Sequence, residues 1–476
     1  MTETSTDRKV MRRAACLLCV ASFFCWGLNG ITVPVRADEK PRTIAVQGAT
    51  LIDGTGRSPL SCAVILIEGD RIAAVGKCGA VAIPRGAHIV DVRGKFILPG
   101  LIDCHCHLEG VGLGDLGELP EEWATPDKLR ELILDDARLD LAGGFTTIRD
   151  VGSTPLVFKV REEIDDGRFP GPRVIAAGQQ LVKKSPGAYM DPSFLEYEGA
   201  DDARKQVRHL VSLGADLIKV RLTSQRAMPS LEELRAIVAE AHGLGRRVTA
   251  HTDVPANEAV QLAMDAGLDG IEHNAPLRAG EAVLRVMATK HMFLVAGIGD
   301  FYVQRDISGD AASMVDDSAR RVFPPVVVSA LEKAAVALQQ QTAEMKKQGW
   351  SFEEALARGV QSMQEARRAG VLLGFGTDCG AELVIHGQQY KALYGETLVG
   401  SSAMEAILMA TRDAAKILGR EKELGTLEPG KFADLIILDA DPLADLRNVG
   451  RIHTVVKGGK LYNQDELIAT GKTGTR

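Results

Sequence analysis

Short apolar runs bounded by turn residues recur along this chain of 476 residues, and they sort into two textures. In the middle, Ile97–His107, Thr146–Val151, Arg173–Ala177, Leu217–Arg221, Arg247–His251, Gly270–His273, Met292–Ala296 and Leu372–Asp378 read as buried strands. Helical patterns separate them. Thr125-Pro126 marks a helix start with Thr as N-cap and Pro at the first position, and Gly143-Gly144 marks its end. Ser230 with Glu233 forms the pattern of a capping box ahead of Leu231, Leu234, Ile237, Val238 and Ala241, spaced to bury one face. Strands alternating with helices predict a parallel sheet, and eight such units predict a closed (β/α)8 TIM barrel over residues 98–423. About 75 residues separate the last two strands, with helical stretches at Val326–Lys347 and Ser351–Arg368; a connection that long predicts a lid or substrate wall.

The two ends carry the other texture. Residues 41–97 alternate as Thr43–Val46, Thr50–Ile52, Ala63–Glu68, Arg71–Val75, Ile89–Val92 and Lys95–Leu98. Ala433–Leu438, Thr454–Lys457 and Lys460–Tyr462 repeat it, with Gly458-Gly459 as a tight turn. Residues 41–97 and 424–465 are therefore expected to form a small composite β-sandwich built from both termini. The region from 178 to 190 reads as a loop after the third strand.

Residues 1–37 differ from everything after them. Arg12-Arg13 precede an apolar stretch, Ala14–Leu28, and Val35-Arg36-Ala37 precede Asp38 in a small-x-small pattern. Those are the parts of a secretory signal, so 1–37 is expected to be a signal peptide cleaved near Ala37, with export to a periplasmic or extracellular space. An uncleaved anchor over Ala14–Val33 is the other reading, weakened by Asn29 and Gly30. Five basic residues against two acidic ones in this segment leave the rest of the chain at −10, from −7 overall. An acidic body without a basic stripe excludes nucleic acid as the expected partner; a small molecule and a second copy of the chain stay open. Of the five cysteines beyond residue 37, Cys62 and Cys78 flank a hairpin turning at Gly69-Asp70, which brings them nearly opposite. A disulfide there would suit an oxidising compartment; two small core residues is the alternative.

Chemistry concentrates at the ends of the middle strands. His105 and His107 stand two apart, so their side chains leave one face of the strand, while Cys104 and Cys106 point the other way into packing. Lys219 lies inside Asp216-Leu217-Ile218-Lys219-Val220, where a lone ammonium would be costly. It either pairs with an internal carboxylate or reacts with carbon dioxide to give an anionic carbamate. His251, His273 and Asp378 end later strands. Each alone is an ordinary residue; all six in this order point to a metal-dependent hydrolase.

The motifs Pro99-Gly100-Leu101-Ile102-Asp103-Cys104-His105-Cys106-His107, Thr146-Thr147-Ile148-Arg149-Asp150, Ile271-Glu272-His273-Asn274 and Gly376-Thr377-Asp378 resemble the amidohydrolase superfamily. So does Leu424–Leu435. The resemblance is to the binuclear subtype with a carboxylated lysine, nearest its imidazolonepropionase-related and Xaa-Pro dipeptidase-like group. It implies that His105, His107 and Asp378 hold one divalent ion, zinc by preference, that His251 and His273 hold a second, and that Lys219 bridges both as a carbamate. It further implies that a shared water, its pKa lowered toward ~7, attacks a metal-polarised carbonyl. Asp378 would then act as general base and general acid.

The substrate implied is a dipeptide or N-acyl amino acid, cleaved at its amide bond. A cyclic amide, a lactone or an ester would suit the same site, and a secreted binding protein without chemistry is a remote alternative. A deaminase is disfavoured, because one-metal relatives generally lack the lysine of the fourth strand. Arg221 shares a face with Lys219 one step nearer the strand end. It either pairs with a carboxylate such as Asp150 or grips a substrate carboxylate, with Lys183 and Lys184 assisting; His386 is a further candidate for substrate binding.

Overall fold

The structure is a computed structural model that describes residues 43–469 apart from 111, 113–124, 189–190, 224–225, 253–255, 274–279 and 382. The expected signal segment lies outside the described residues. Pro41–Arg476 forms one unit by its internal contacts. Among the described residues no helix is long and apolar enough to cross a membrane.

The ends of the chain do interleave. Strands β1 (Thr43–Gln47), β3 (Ala63–Glu68), β4 (Arg71–Lys77) and β5 (His88–Asp91) form one sheet in the order β4-β3-β1-β5. A second sheet, ordered β19-β18-β17-β6-β2, joins β2 (Thr50–Leu51) and β6 (Phe96–Pro99) to β17 (Leu435–Leu438), β18 (Ile452–Lys457) and β19 (Lys460–Tyr462). Ile44, Val46, Ile65 and Ile67 of the first sheet share one apolar cluster with Leu51, Ile97, Leu435, Ile437 and Val456 of the second. Cys62 and Cys78 are disulfide-bonded across the β3–β4 hairpin, with Cα atoms 5.4 Å apart. The remaining thiols, Cys104, Cys106 and Cys379, are buried and free.

The middle carries β7 (Leu101–Cys106), β8 (Phe145–Asp150), β9 (Arg173–Ala176), β10 (Gln180–Lys183), β11 (Phe194–Tyr197), β12 (Leu217–Leu222), β13 (Arg247–Thr252), β14 (Gly270–Glu272), β15 (Phe293–Val295) and β16 (Leu372–Gly374). They make two parallel sheets, β7-β8-β9 and β11-β10-β12-β13-β14-β15-β16. Backbone bonds also link the segment after β16 to β7, from Cys104 N to Phe375 O and from His107 N to Cys379 O, and Asp216 N to Ala176 O beside β9. The expected single run Ile97–His107 is divided: Gly100 separates β6 from β7, which belong to different sheets. A side chain at Gly100 would collide with Thr146 at 2.0 Å, so the crossing between sheets is possible only for glycine. The stretch after β9 is likewise not a plain loop, since β10 and β11 pair in parallel there from Gln180↔Phe194 to Lys183↔Tyr197.

Helix α1 spans Pro126–Ala142 with Thr125 at the N-cap position and Gly143 at the C-cap, although the Thr125 hydroxyl makes no capping bond. The capping box of Ser230 and Glu233 is formed. The long connection before β16 holds helices at Pro325–Lys347 and Phe352–Ala369.

One buried acid makes stability depend on pH. Glu396 is 3% exposed, and burial, outweighing Arg367 and Ser401, pushes its pKa up from 4.5 to about 7. The folded state therefore keeps a proton that the unfolded chain releases, and stability falls as pH rises from 4.5 through about 7. Glu396→Gln should not change the thermal midpoint at pH 5. At pH 8 it should raise stability by roughly 3 kcal/mol at most, the energy of a shift of that size. Equal gains at both pH values would refute the assignment.

Candidate metal centre

The six polar residues at the strand ends gather into one place. His105 lies in β7, Lys219 in β12 and His251 in β13, while His107, His273 and Asp378 stand just beyond β7, β14 and β16. His273 and Asp378 occupy the left-handed backbone region with φ of 64° and 52°. That region is unfavourable for residues with a side chain, and neighbours must hold them there. Backbone bonds do so, from His273 N to Val295 O at 2.7 Å and from Asp378 N to His105 O at 2.9 Å.

Asp378 is the focus. Its Oδ1 lies 3.1 Å from His107 Nε2 and 3.4 Å from His105 Nε2, and Oδ2 lies 3.9 Å from His273 Nδ1. The Nδ1 of His107 donates to Gly152 O at 2.7 Å, and that of His105 to Glu272 Oε2 at 2.9 Å. With the ring proton on Nδ1, each Nε2 turns a lone pair toward the carboxylate. Asp378 Oδ1 is buried and, among the described residues, forms no aligned hydrogen bond. Two lone pairs and a carboxylate oxygen converging without a shared hydrogen fit a divalent cation, and the set of two imidazoles and a carboxylate suits zinc. Without a cation a proton favours the same place: burial works against it, but Asp378, Asp150 and the Gly152 carbonyl together raise the pKa of His107.

The other two imidazoles adjoin. His251 Nδ1 is 2.8 Å from His273 Nε2, and the His273 ring centroid is 4.5 Å from His251 and 4.7 Å from His105. Burial, then the neighbouring His251 and His105, holds His273 well below the usual histidine range, so it is neutral with a lone pair to give. Lys219 is buried, and among the described residues its amine forms no hydrogen bond or ion pair. Burial lowers its pKa to about 8, with Glu272 opposing and the Arg149 guanidinium assisting.

Glu272 and Arg149 were legible only as motif letters, yet they organise the cluster. Arg149 Nη2 holds Glu272 at 2.7 and 2.9 Å, Thr249 Oγ1 donates to it at 2.5 Å, and Arg149 Nε donates to Cys104 O. Buried charges persist only when paired and bonded, so one charge of each sign inside two otherwise apolar strands, here β8 and β14, is the signal that could have found this pair.

The expected substrate residues separate. Arg221 pairs in register with His251 across β12 and β13, and its Nη2 is 3.5 Å from His251 Nε2. Its guanidinium stands 5.3 Å from the Phe194 ring centroid. Asp150 is not its partner: that carboxylate accepts from Leu108 N, Gly152 N and the Ser153 hydroxyl. Lys183 pairs with Glu233 at 2.6 Å and Lys184 with Glu198 at 2.9 Å. His386 is buried against Asp140, with Nδ1 2.9 Å from its Oδ1.

Known proteins share this arrangement of strands. A model of the amidohydrolase family matches residues 96–462. The chain is 27% identical to the ochratoxinase of Aspergillus niger over 477 residues, covering 90% of this chain and 88% of that protein. It is 25% identical to a 5-methylthioadenosine/S-adenosylhomocysteine deaminase of Symbiobacterium thermophilum, covering 84% and 85%. A crystal structure of an Xaa-Pro dipeptidase with methionine in its active site superposes with a TM-score of 0.69 at 26% identity, covering 88% of this chain and all of that one. A match that spans the middle strands and the C-terminal sheet alike carries one conclusion: the chain belongs to the amidohydrolase family and is an enzyme acting on carbon–nitrogen bonds.

Proposed function

We propose that the protein is an exported binuclear metallohydrolase that cleaves the amide bond of a dipeptide or N-acyl amino acid. The observation that carries this reading is the convergence on Asp378 of three imidazoles from two strand ends, beside the buried amine of Lys219. His105, His107 and Asp378 would hold one divalent ion and His251 and His273 the other. Lys219, joined to carbon dioxide with loss of a proton, would serve both. The fold proposed with it is a closed (β/α)8 barrel over 98–423, flanked by a β-sandwich from 41–97 and 424–465. The Cys62–Cys78 disulfide supports export to an oxidising compartment.

Bound zinc ions would supply Lewis-acid polarisation of the scissile carbonyl and acidify a water toward neutral pH. The chain's own groups do the rest. Burial alone would raise the pKa of Asp378, but His105, His107 and His273 hold it well below the usual carboxylate range, so it is ionised and able to accept a proton. It takes one from the attacking water and returns it to the leaving nitrogen. Glu272 and Gly152 O fix the tautomers of His105 and His107. Arg221, whose Nη2 lies 3.5 Å from His251 Nε2, would grip a substrate carboxylate. The bound methionine of the dipeptidase relative, a free amino acid, is consistent with such a grip. Lys219 also disfavours deamination at a single metal, despite the deaminase relative.

Metal analysis of the purified protein, with a screen of dipeptides, N-acyl amino acids, lactones and hydantoins, tests the reading. Two ions per chain and turnover of the open-chain amides are expected; hydrolysis of lactones alone would overturn it. Amidating the substrate carboxylate should cost about 2–4 kcal/mol in kcat/KM, as for one partner of a buried charge pair. Arg221→Ala should erase that preference with both ions still bound. If wild type turns over free-acid and amidated substrates equally, the carboxylate grip is wrong.

A further inference from the structure

Behind the imidazole cluster, where α1 meets the segment after Asp378, sits a second buried group of polar residues that the reaction does not use. His386 is 1% exposed. Its Nδ1 is 2.9 Å from Asp140 Oδ1 of α1, an oxygen that also accepts from the Gln389 amide. Its Nε2 lies 3.3 Å from His107 O and 3.2 Å from Gly110 O. A carboxylate and two carbonyls can only accept, so both ring nitrogens donate and the imidazolium is paired with the Asp140 carboxylate.

Those two carbonyls belong to the segment that carries His107. The same segment is held again by its N–H groups, His107 N donating to Cys379 O at 2.8 Å and Gly112 N to Gly380 O at 2.9 Å. Gly380, two residues beyond Asp378, is wedged between them. A methyl group there would fall 2.1 Å from His107 O, 2.6 Å from Gly110 O and 2.9 Å from His386 Nε2, and φ at Gly380 is +89°. The backbone of one proposed ligand and the turn behind another are thus locked together, with a single ring as the bolt.

We propose that Asp140 and His386 are positioning residues for the metal centre, holding the His107 peptide from behind so that its Nε2 stays aimed at Asp378. The proposal rests on the assignment of His107 and Asp378 as ligands of one ion. A role limited to satisfying two buried carbonyls would lower stability without favouring either ion. A positioning role weakens one ion and spares the other.

Competition with a zinc chelator, run beside thermal unfolding on the full protein, separates these outcomes. The variants are His386→Gln and the isosteric Asp140→Asn, which removes the charge yet keeps the shape should His386→Gln fold poorly. Loss of an outer partner of a metal-binding histidine typically costs ~10–100-fold in metal affinity. That loss is expected at one of the two ions, larger in His386→Gln than in Asp140→Asn, with kcat falling and KM little changed. Unchanged affinity at both ions, or equal weakening of both along with a lower thermal midpoint, overturns the positioning role and leaves the binuclear reading intact. A wild-type protein that binds no zinc overturns both.

Discussion

Lys219→Ala should abolish most of the activity and release metal at the same time. The loss should exceed the ~10–100-fold that removal of a ligand's hydrogen-bond partner costs, because the proposed shared ligand of both ions is removed. Lys219 is buried, its amine makes no bond among the described residues, and its pKa is lowered to about 8. At neutral pH a sizeable minority of that amine is uncharged and can attack carbon dioxide. Reconstitution of metal-free wild type should therefore need dissolved bicarbonate for full activity, whereas Lys219→Ala should ignore bicarbonate and recover partly with short carboxylic acids that fill the gap. If Lys219→Ala binds two ions and keeps its rate, the lysine is a structural cation beside Glu272, and the carbamate is wrong. Lys219→Met, of similar length and apolar, guards against misfolding, since it removes the buried amine without opening a cavity.

Much of the site could be read before any coordinates, because strand geometry does the placing. His105, His107, Lys219, His251, His273 and Asp378 all reach one locus, as expected for side chains at the ends of parallel strands. Failures occur where alternation is not the governing rule. Gly100 cuts one apolar run into strands of two sheets, and hydropathy does not register a change of partner. The region from 178 to 190 reads as a loop, yet Gln180–Lys183 forms β10 and pairs with β11 at Phe194–Tyr197. His273 and Asp378 sit at positive φ, so counting by twos cannot say where their rings and carboxylates point. Lys183 reads as an anion grip, but Glu233, the third helical residue of the capping box that Ser230 opens, is also the partner of Lys183. His386 is a candidate substrate contact in the sequence, whereas its tie to Asp140 spans 246 positions, which no local pattern encodes.

Asp378→Asn should separate binding from chemistry. The amide keeps the size of the carboxylate and one oxygen for an ion, so much of the metal should remain. It cannot accept a proton from water at neutral pH or return one to a leaving nitrogen. Loss of a general acid–base group typically costs ~10²–10⁴-fold, and kcat should fall by that amount with a smaller change in KM. The three imidazoles around Asp378 sharpen the expectation. They hold the wild-type carboxylate ionised well below the ordinary range, so the acid limb of its pH–rate profile should lie far below neutral. The asparagine variant should lose the dependence that Asp378 confers, and a substrate with a better leaving group, such as an anilide in place of an alkyl amide, should recover part of the rate because protonation of its nitrogen matters less. A variant that keeps its metal and its full kcat would show that Asp378 is a ligand only.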